Sequence, residues 1–208
     1  MHDFRPSLSI TPEFDYNLLM SLLQSYKQPW SKIRQLLKQE EILRVKKGIY
    51  VKNPNQGVPY SACVLANMIY GPSYISGAYA LSFHGMIPEK VESISSVTIK
   101  PSKEFKTPVG FFSYQHLSQE RYSFGFFRVA LDDQRAFLIA SPEKALVDTI
   151  WNHDMSSPQD LHDYLTEGLR IDEEYLRKLD MNRLQALKKR FKRPIIDALT
   201  ALSEDLKL

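Results

Sequence analysis

A single cysteine, Cys63, occurs in the 208 residues, so no internal disulfide can form and no cysteine-built metal site is available. In Ser61-Ala62-Cys63-Val64-Leu65-Ala66 it reads as a small buried apolar residue. Apolar runs long enough to cross a bilayer are absent. Residues 1–9 hold no basic stretch followed by an apolar one, the mark of a secretory leader. A cytoplasmic protein with no membrane partner is the expectation. The 8 glycines are scattered, and no GxxxxGK phosphate loop occurs. Neither HExxH nor paired-cysteine spacing is present. No metal, no cofactor and no catalytic residue are therefore expected.

What is present is an ordinary globular composition, 43% hydrophobic and 25% charged, without low-complexity tracts or internal repeats. The net charge is only +3, yet it is unevenly spread. Residues 1–56 hold 9 Lys/Arg against 5 Asp/Glu, and residues 57–208 hold 18 against 19. Within 27–52 the count is 8 basic to 2 acidic. A short segment with that excess attracts a polyanion, and nucleic acid is the commonest one.

Thr11-Pro12-Glu13 has the form of a helix start, and the apolar spacing of Phe14, Leu18, Leu22 and Tyr26 predicts a helix through residue 26. A second helix is predicted over 30–40, burying Ile33, Leu36 and Leu37. Two β-rich runs, 42–45 and 49–51, flank Lys46-Lys47-Gly48 and predict a hairpin with a basic tip. The polar, turn-forming stretch 53–59 divides a module of residues 1–56 from a larger domain of residues 57–208. In that domain helices are predicted over 60–70 and 76–84. Strands are predicted over 91–100, 110–117, 124–131 and 135–139. Further helices follow over 142–152, 158–165, 172–179, 182–191 and 194–206. The fold class is α+β: a small helix-plus-wing, winged-helix-like module, then a larger α+β domain with a mixed or antiparallel sheet and a helical C-terminal tail.

An α-helix fits the major groove of B-DNA, and a hairpin wing can follow the adjacent backbone. On the second helix Arg34 suits guanine and Gln35 adenine, while Lys32 and Lys38 suit phosphates. Arg44, Lys46 and Lys47 would add phosphate or minor-groove contacts from the wing. If about six cations each neutralise a phosphate, the log–log salt slope of affinity should be near −5. A winged helix has three helices before its wing, and two are readable here.

The run Pro29-Trp30-Ser31-Lys32-Ile33, continued by Leu43-Arg44-Val45-Lys46-Lys47-Gly48-Ile49-Tyr50-Val51, resembles the N-terminal module of AbiEi-type antitoxins. Three further stretches resemble the same family: Tyr74-Ile75-Ser76-Gly77-Ala78-Tyr79-Ala80-Leu81-Ser82-Phe83-His84-Gly85-Met86-Ile87-Pro88-Glu89, Phe105-Lys106-Thr107-Pro108-Val109-Gly110, and Ala140-Ser141-Pro142-Glu143-Lys144-Ala145-Leu146-Val147-Asp148. The likeness covers about residues 16–152. It implies the antitoxin of a type IV toxin–antitoxin system, found in bacterial abortive infection against phage. Such a protein represses its own operon through inverted repeats in double-stranded DNA. It also opposes a nucleotidyltransferase toxin without a tight complex. The resemblance transfers the DNA-reading face to Lys32, Arg34, Gln35, Lys38, Arg44, Lys46 and Lys47.

Ser76 and His84 fall about two helical turns apart, too far for a nucleophile–base pair, and His84 reads as a helix-end residue that satisfies a carbonyl or packs in the core. Ser141-Pro142-Glu143-Lys144 is a good helix start, and Lys144 and Asp148, four apart, read as a surface pair. Glu92, Lys100 and the acid-x-Lys spacing Glu104-Phe105-Lys106 leave a metal-dependent nuclease as one alternative. A protein-interaction module whose basic segment is incidental is the other. The cluster Lys188, Lys189, Arg190, Lys192, Arg193 reads as a second anion surface or as a solvated helix end.

Overall fold

A computed structural model describes residues 11–56 and 59–207. Residues 1–10, residues 57 and 58 at the expected boundary, and residue 208 lie outside the described residues. Three strands, β1 (Glu13–Asp15), β2 (Ile42–Lys46) and β3 (Ile49–Lys52), form an antiparallel sheet in the order β1-β3-β2. Helices α1 (Tyr16–Leu22) and α2 (Pro29–Lys38) lie between β1 and β2 in the chain. Strand, two helices and a hairpin thus form one small unit, with the first strand paired to the hairpin's second; among the described residues two helices precede the hairpin.

The predicted helix start at Thr11 is corrected. Phe14 stands opposite Tyr50, their rings stacked with centroids 6.1 Å apart, and the Lys52 amide donates to the Pro12 carbonyl. A cross-strand aromatic pair and the ladder outweigh the local helix signal. Asp15 is the actual cap, accepting from the Leu18 amide at 2.8 Å, and α1 ends at Leu22 rather than at residue 26. At the wing turn Gly48 has φ +85°, a left-handed conformation that a side chain would strain.

Strand alternation splits the small sheet between two cores. Phe14, Ile42 and Tyr50 pack with Leu19, Leu23, Ile33 and Leu36 beneath the helices. Val45, Ile49 and Val51 pack instead into the core of the larger domain. Glu13 reinforces this joint: its buried carboxylate accepts from the Ser61 amide and lies 3.6 Å from Arg135.

The larger domain contains α3 (Ala62–Ile69), β4 (Ser73–Ile75), α4 (Gly77–Phe83), β5 (Ile94–Thr98), β6 (Lys103–Thr107), β7 (Gly110–His116), α5 (Gln119–Tyr122), β8 (Phe126–Ala130) and β9 (Ala136–Ala140). Then come α6 (Pro142–Ile150), α7 (Pro158–Asp163), a π-helical turn (Tyr164–Gly168), α8 (Glu173–Arg177), α9 (Met181–Phe191) and α10 (Pro194–Asp205). Its six-stranded sheet runs β6-β7-β5-β4-β9-β8, parallel at β5/β7 and β4/β9 and antiparallel elsewhere. The α+β class with a mixed sheet and a helical C-terminal tail is therefore observed. Tyr114 points to one face and donates to the Ala66 carbonyl of α3. Tyr74 points to the other and donates to Asp148 of α6. Strands β1, β4 and β6 and helix α5 were not among the predicted elements.

Candidate nucleic-acid interface

Pro29 opens α2 where its missing amide costs nothing, and Ile33 and Leu36 turn into the small core. The 3.6-residue period then sends Arg34, Gln35 and Lys38 to the opposite side, all exposed to solvent. Trp30 shares that side, 60% exposed and stacked on Tyr16 at 5.2 Å. Lys32 sits at the margin, half-buried, its ammonium 5.8 Å from the Tyr26 ring centre and donating to Gln35 Oε1 at 3.4 Å. On the hairpin Arg44 and Lys47 are exposed. Among the described residues none of Lys32, Arg34, Lys38, Arg44 and Lys47 forms an ion pair.

Lys46 departs from the expected surface. The ladder shifts register between Arg44 and Lys46, so Arg44 stands opposite Tyr50 on the helix side while Lys46 stands opposite Ile49 on the side of the larger domain. There its ammonium donates to the Ile69 carbonyl at 2.6 Å and lies 4.8 Å above the Phe105 ring. Burial first, then the charges of Lys103 and Lys100, hold its pKa below the usual lysine value.

That contact exposes a feature invisible in the sequence. Lys100 donates to the Gly71 carbonyl and lies 5.2 Å from the Tyr70 ring centre. Lys103 lies 6.0 Å from Tyr70 and 5.3 Å from Phe105. Three cations thus gather around two aromatic rings, one residue along the chain from the wing tip, with no ion-paired acid among the described residues. In the sequence Lys100 stands out only beside Glu92 and Glu104 as a nuclease candidate; the clustering of residues 46, 100 and 103 depends on the sheet order.

Elsewhere several polar side chains are matched within the chain. Ser141 caps α6, accepting from the Lys144 amide at 3.3 Å. Lys144 and Asp148 do pair, at 2.6 Å, but the expectation of a surface pair is corrected: their side chains are 0% and 1% exposed. Asp148 also accepts from Ser76 Oγ at 2.8 Å and Tyr74 OH at 2.9 Å, and Lys144 donates to the Arg121 carbonyl at 2.9 Å. Desolvation dominates both groups, lowering the lysine pKa and raising that of the aspartate. His84 ends α4, its Nε2 2.8 Å from the Ala140 carbonyl. Cys63 is only half-buried, its Sγ 3.2 Å from Tyr79 OH, and burial pushes the thiol pKa up.

Glu104 lies on β6 in a cavity of about 530 Å³ with Lys103, Ser95, Ser113 and Asp148. Glu92 is exposed ahead of β5. Among the described residues no three His, Cys, Asp or Glu side chains are grouped to hold a metal ion. No helix of the described residues is long and apolar enough to cross a membrane. No known family model matches the chain, and no curated protein matches it.

Proposed function

We propose that this chain is a cytoplasmic, non-enzymatic DNA-binding repressor, and specifically the antitoxin of a type IV toxin–antitoxin operon. One observation carries the DNA reading: Arg34, Gln35 and Lys38 share the solvent face of α2, with Arg44 and Lys47 on the adjoining wing and no acid among the described residues paired to the cations. Arg and Gln are the side chains that match guanine and adenine edges by paired hydrogen bonds. Lysines and wing cations neutralise phosphates. Lys46 holds the wing to the larger domain, with Lys100 and Lys103 gathered beside it around Tyr70 and Phe105. The antitoxin part of the proposal rests on the resemblance to AbiEi-type proteins. It brings with it an operator of inverted repeats and functional opposition to a nucleotidyltransferase toxin without a tight complex.

The test is an electrophoretic mobility shift with the region upstream of the chain's own gene. Arg34→Ala/Lys38→Ala/Lys47→Ala should abolish the shift while leaving the thermal unfolding midpoint in place. Equal retardation of random DNA at moderate salt would overturn the operator reading. Co-expression with a nucleotidyltransferase encoded in the adjacent reading frame tests the antitoxin reading separately; no rescue of growth would remove it.

A further inference from the structure

The two edges of the large sheet differ. Edge strand β6 exposes Lys103, Glu104 and Lys106, the charged guard that keeps an open edge from pairing. Edge strand β8, Phe126-Phe127-Arg128-Val129-Ala130, has one charge, and Phe127 is 41% exposed on it. Leu131, just beyond, is 44% exposed, and exposed Phe83 packs edge-on against Phe137, on the same sheet face as Phe127.

The ladder fixes which backbone groups of β8 look outward. The Ser141 amide donates to the Gly125 carbonyl and the Leu131 amide to the Arg135 carbonyl, so odd positions of β8 bond to β9. The peptide groups of Phe126, Arg128 and Ala130 therefore point away from the sheet. Among the described residues none of them has a partner there.

We propose that β8 is a self-association edge, at which two copies of this chain pair antiparallel about a two-fold axis through Val129 and join their sheets. The occupant follows from the symmetry of the strand about that residue. The outward groups of Arg128 and Ala130 lie one position either side of Val129 and bond to each other's counterparts. The exposed Phe127 and Leu131 lie two positions either side, so each meets the other across the axis, with Val129 on Val129 between them. An isologous contact needs this self-complementarity. Arg128 faces Ala130 of the second copy, so no two arginines stand directly opposite each other. A two-fold axis at Arg128 would instead set the two arginines against each other.

A contact of this size belongs at the weak end of protein interfaces, so sedimentation should run up to about 100 µM protein. The full chain should then approach twice its 24.1 kDa mass. Directly opposed residues in such a non-hydrogen-bonded pair have Cα atoms about 4.5 Å apart, within disulfide reach. Val129→Cys in a Cys63→Ser background should therefore crosslink to a covalent dimer under mild oxidation, and Arg128→Cys should not. Ala130→Pro removes an outward amide and no ladder bond, and should weaken dimerisation at least tenfold with an unchanged circular dichroism spectrum. Phe127→Asp/Leu131→Asp, which opposes like charges, should give monomers even if the proline variant folds poorly. A chain of single mass at the highest concentration with no Val129→Cys crosslink would overturn the proposal and leave the edge to another protein's strand. A dimer unaffected by Ala130→Pro and by the double aspartate variant would place the interface elsewhere.

Discussion

Between Lys188 and Arg193 five cations fall within six residues, a density higher than anywhere in the N-terminal module. Yet Lys188 pairs with Asp197 at 3.1 Å, Lys192 with Glu120 at 3.7 Å, and Arg193 with Asp154 at 2.9 Å. Arg190 lies over the Phe124 ring at 4.3 Å. On α2 and the wing the cations are fewer per residue, and among the described residues Lys32, Arg34, Lys38, Arg44 and Lys47 have no acid paired to them. In the first cluster every cation but the exposed Lys189 has an acid or a ring of the same chain against it, whereas in the second no cation has a paired acid among the described residues. Charge density alone therefore misidentifies an anion surface; what counts is whether the fold supplies the counter-ions.

The internal case is most extreme at Lys144. Truncating it leaves the Asp148 carboxylate buried against Ser76 and Tyr74 with its cation gone. Lys144→Ala should cost about 3–5 kcal/mol in urea unfolding, because an uncompensated charge stays in the core. Lys144→Met/Asp148→Leu, which removes both charges, should recover much of that. If the single variant were as stable as the parent, the claim that this domain binds its cations internally would break at its strongest point.

The next effect belongs to the module. Arg34→Ala should lose about 1–3 kcal/mol of DNA affinity and relax sequence preference, since a paired contact to a base edge is lost. Its unfolding should stay within about 0.5 kcal/mol of the parent, the usual range for an exposed residue. The combined Lys188→Ala/Lys192→Ala/Arg193→Ala variant should bind operator DNA as the parent does. Loss of affinity there and none at Arg34 would reverse the comparison.

Salt dependence sharpens it further. If only Lys32, Lys38, Arg44 and Lys47 meet phosphates, the log–log slope should be about −3.6; if Lys46, Lys100 and Lys103 join them, about −6.3. Lys100→Ala/Lys103→Ala should then shift the slope back towards the smaller value. An unchanged slope would confine the interface to the module.

Much of this was open to reading in the chain itself. The helix over 30–40, the hairpin with its basic tip and the solvent side of α2 follow from apolar spacing at 3.6 and 2 residues. What escaped depends on partners distant in sequence. Phe14 reads as the first apolar position of a helix until Tyr50, 36 residues on, pairs with it across a strand. Lys46 reads as a third wing cation until the register shift turns it onto Ile69 and Phe105. The four-residue spacing of Lys144 and Asp148 was visible, but its burial comes from Tyr74 and Phe191, whose rings lie 5.5 and 4.5 Å from the ammonium. Strand β4, only three residues long, gives no periodic signal.

The smallest expected effect tests whether the tail pairs stabilise the fold at all. Lys188 and Asp197 are 39% and 56% exposed, so water and salt screen their attraction and each side chain loses freedom in holding it. Lys188→Ala should change unfolding free energy by less than about 0.5 kcal/mol. Its consequence should lie elsewhere, in nonspecific binding: releasing Asp197 while removing a cation makes the tail more acidic. Weak retention on a polyanion column should fall slightly, or stay the same where the lysine was already neutralised. A clear drop in retention would mean that the tail pairs open readily and that Lys188 reaches outside partners, which would narrow the difference between the two clusters to one of degree.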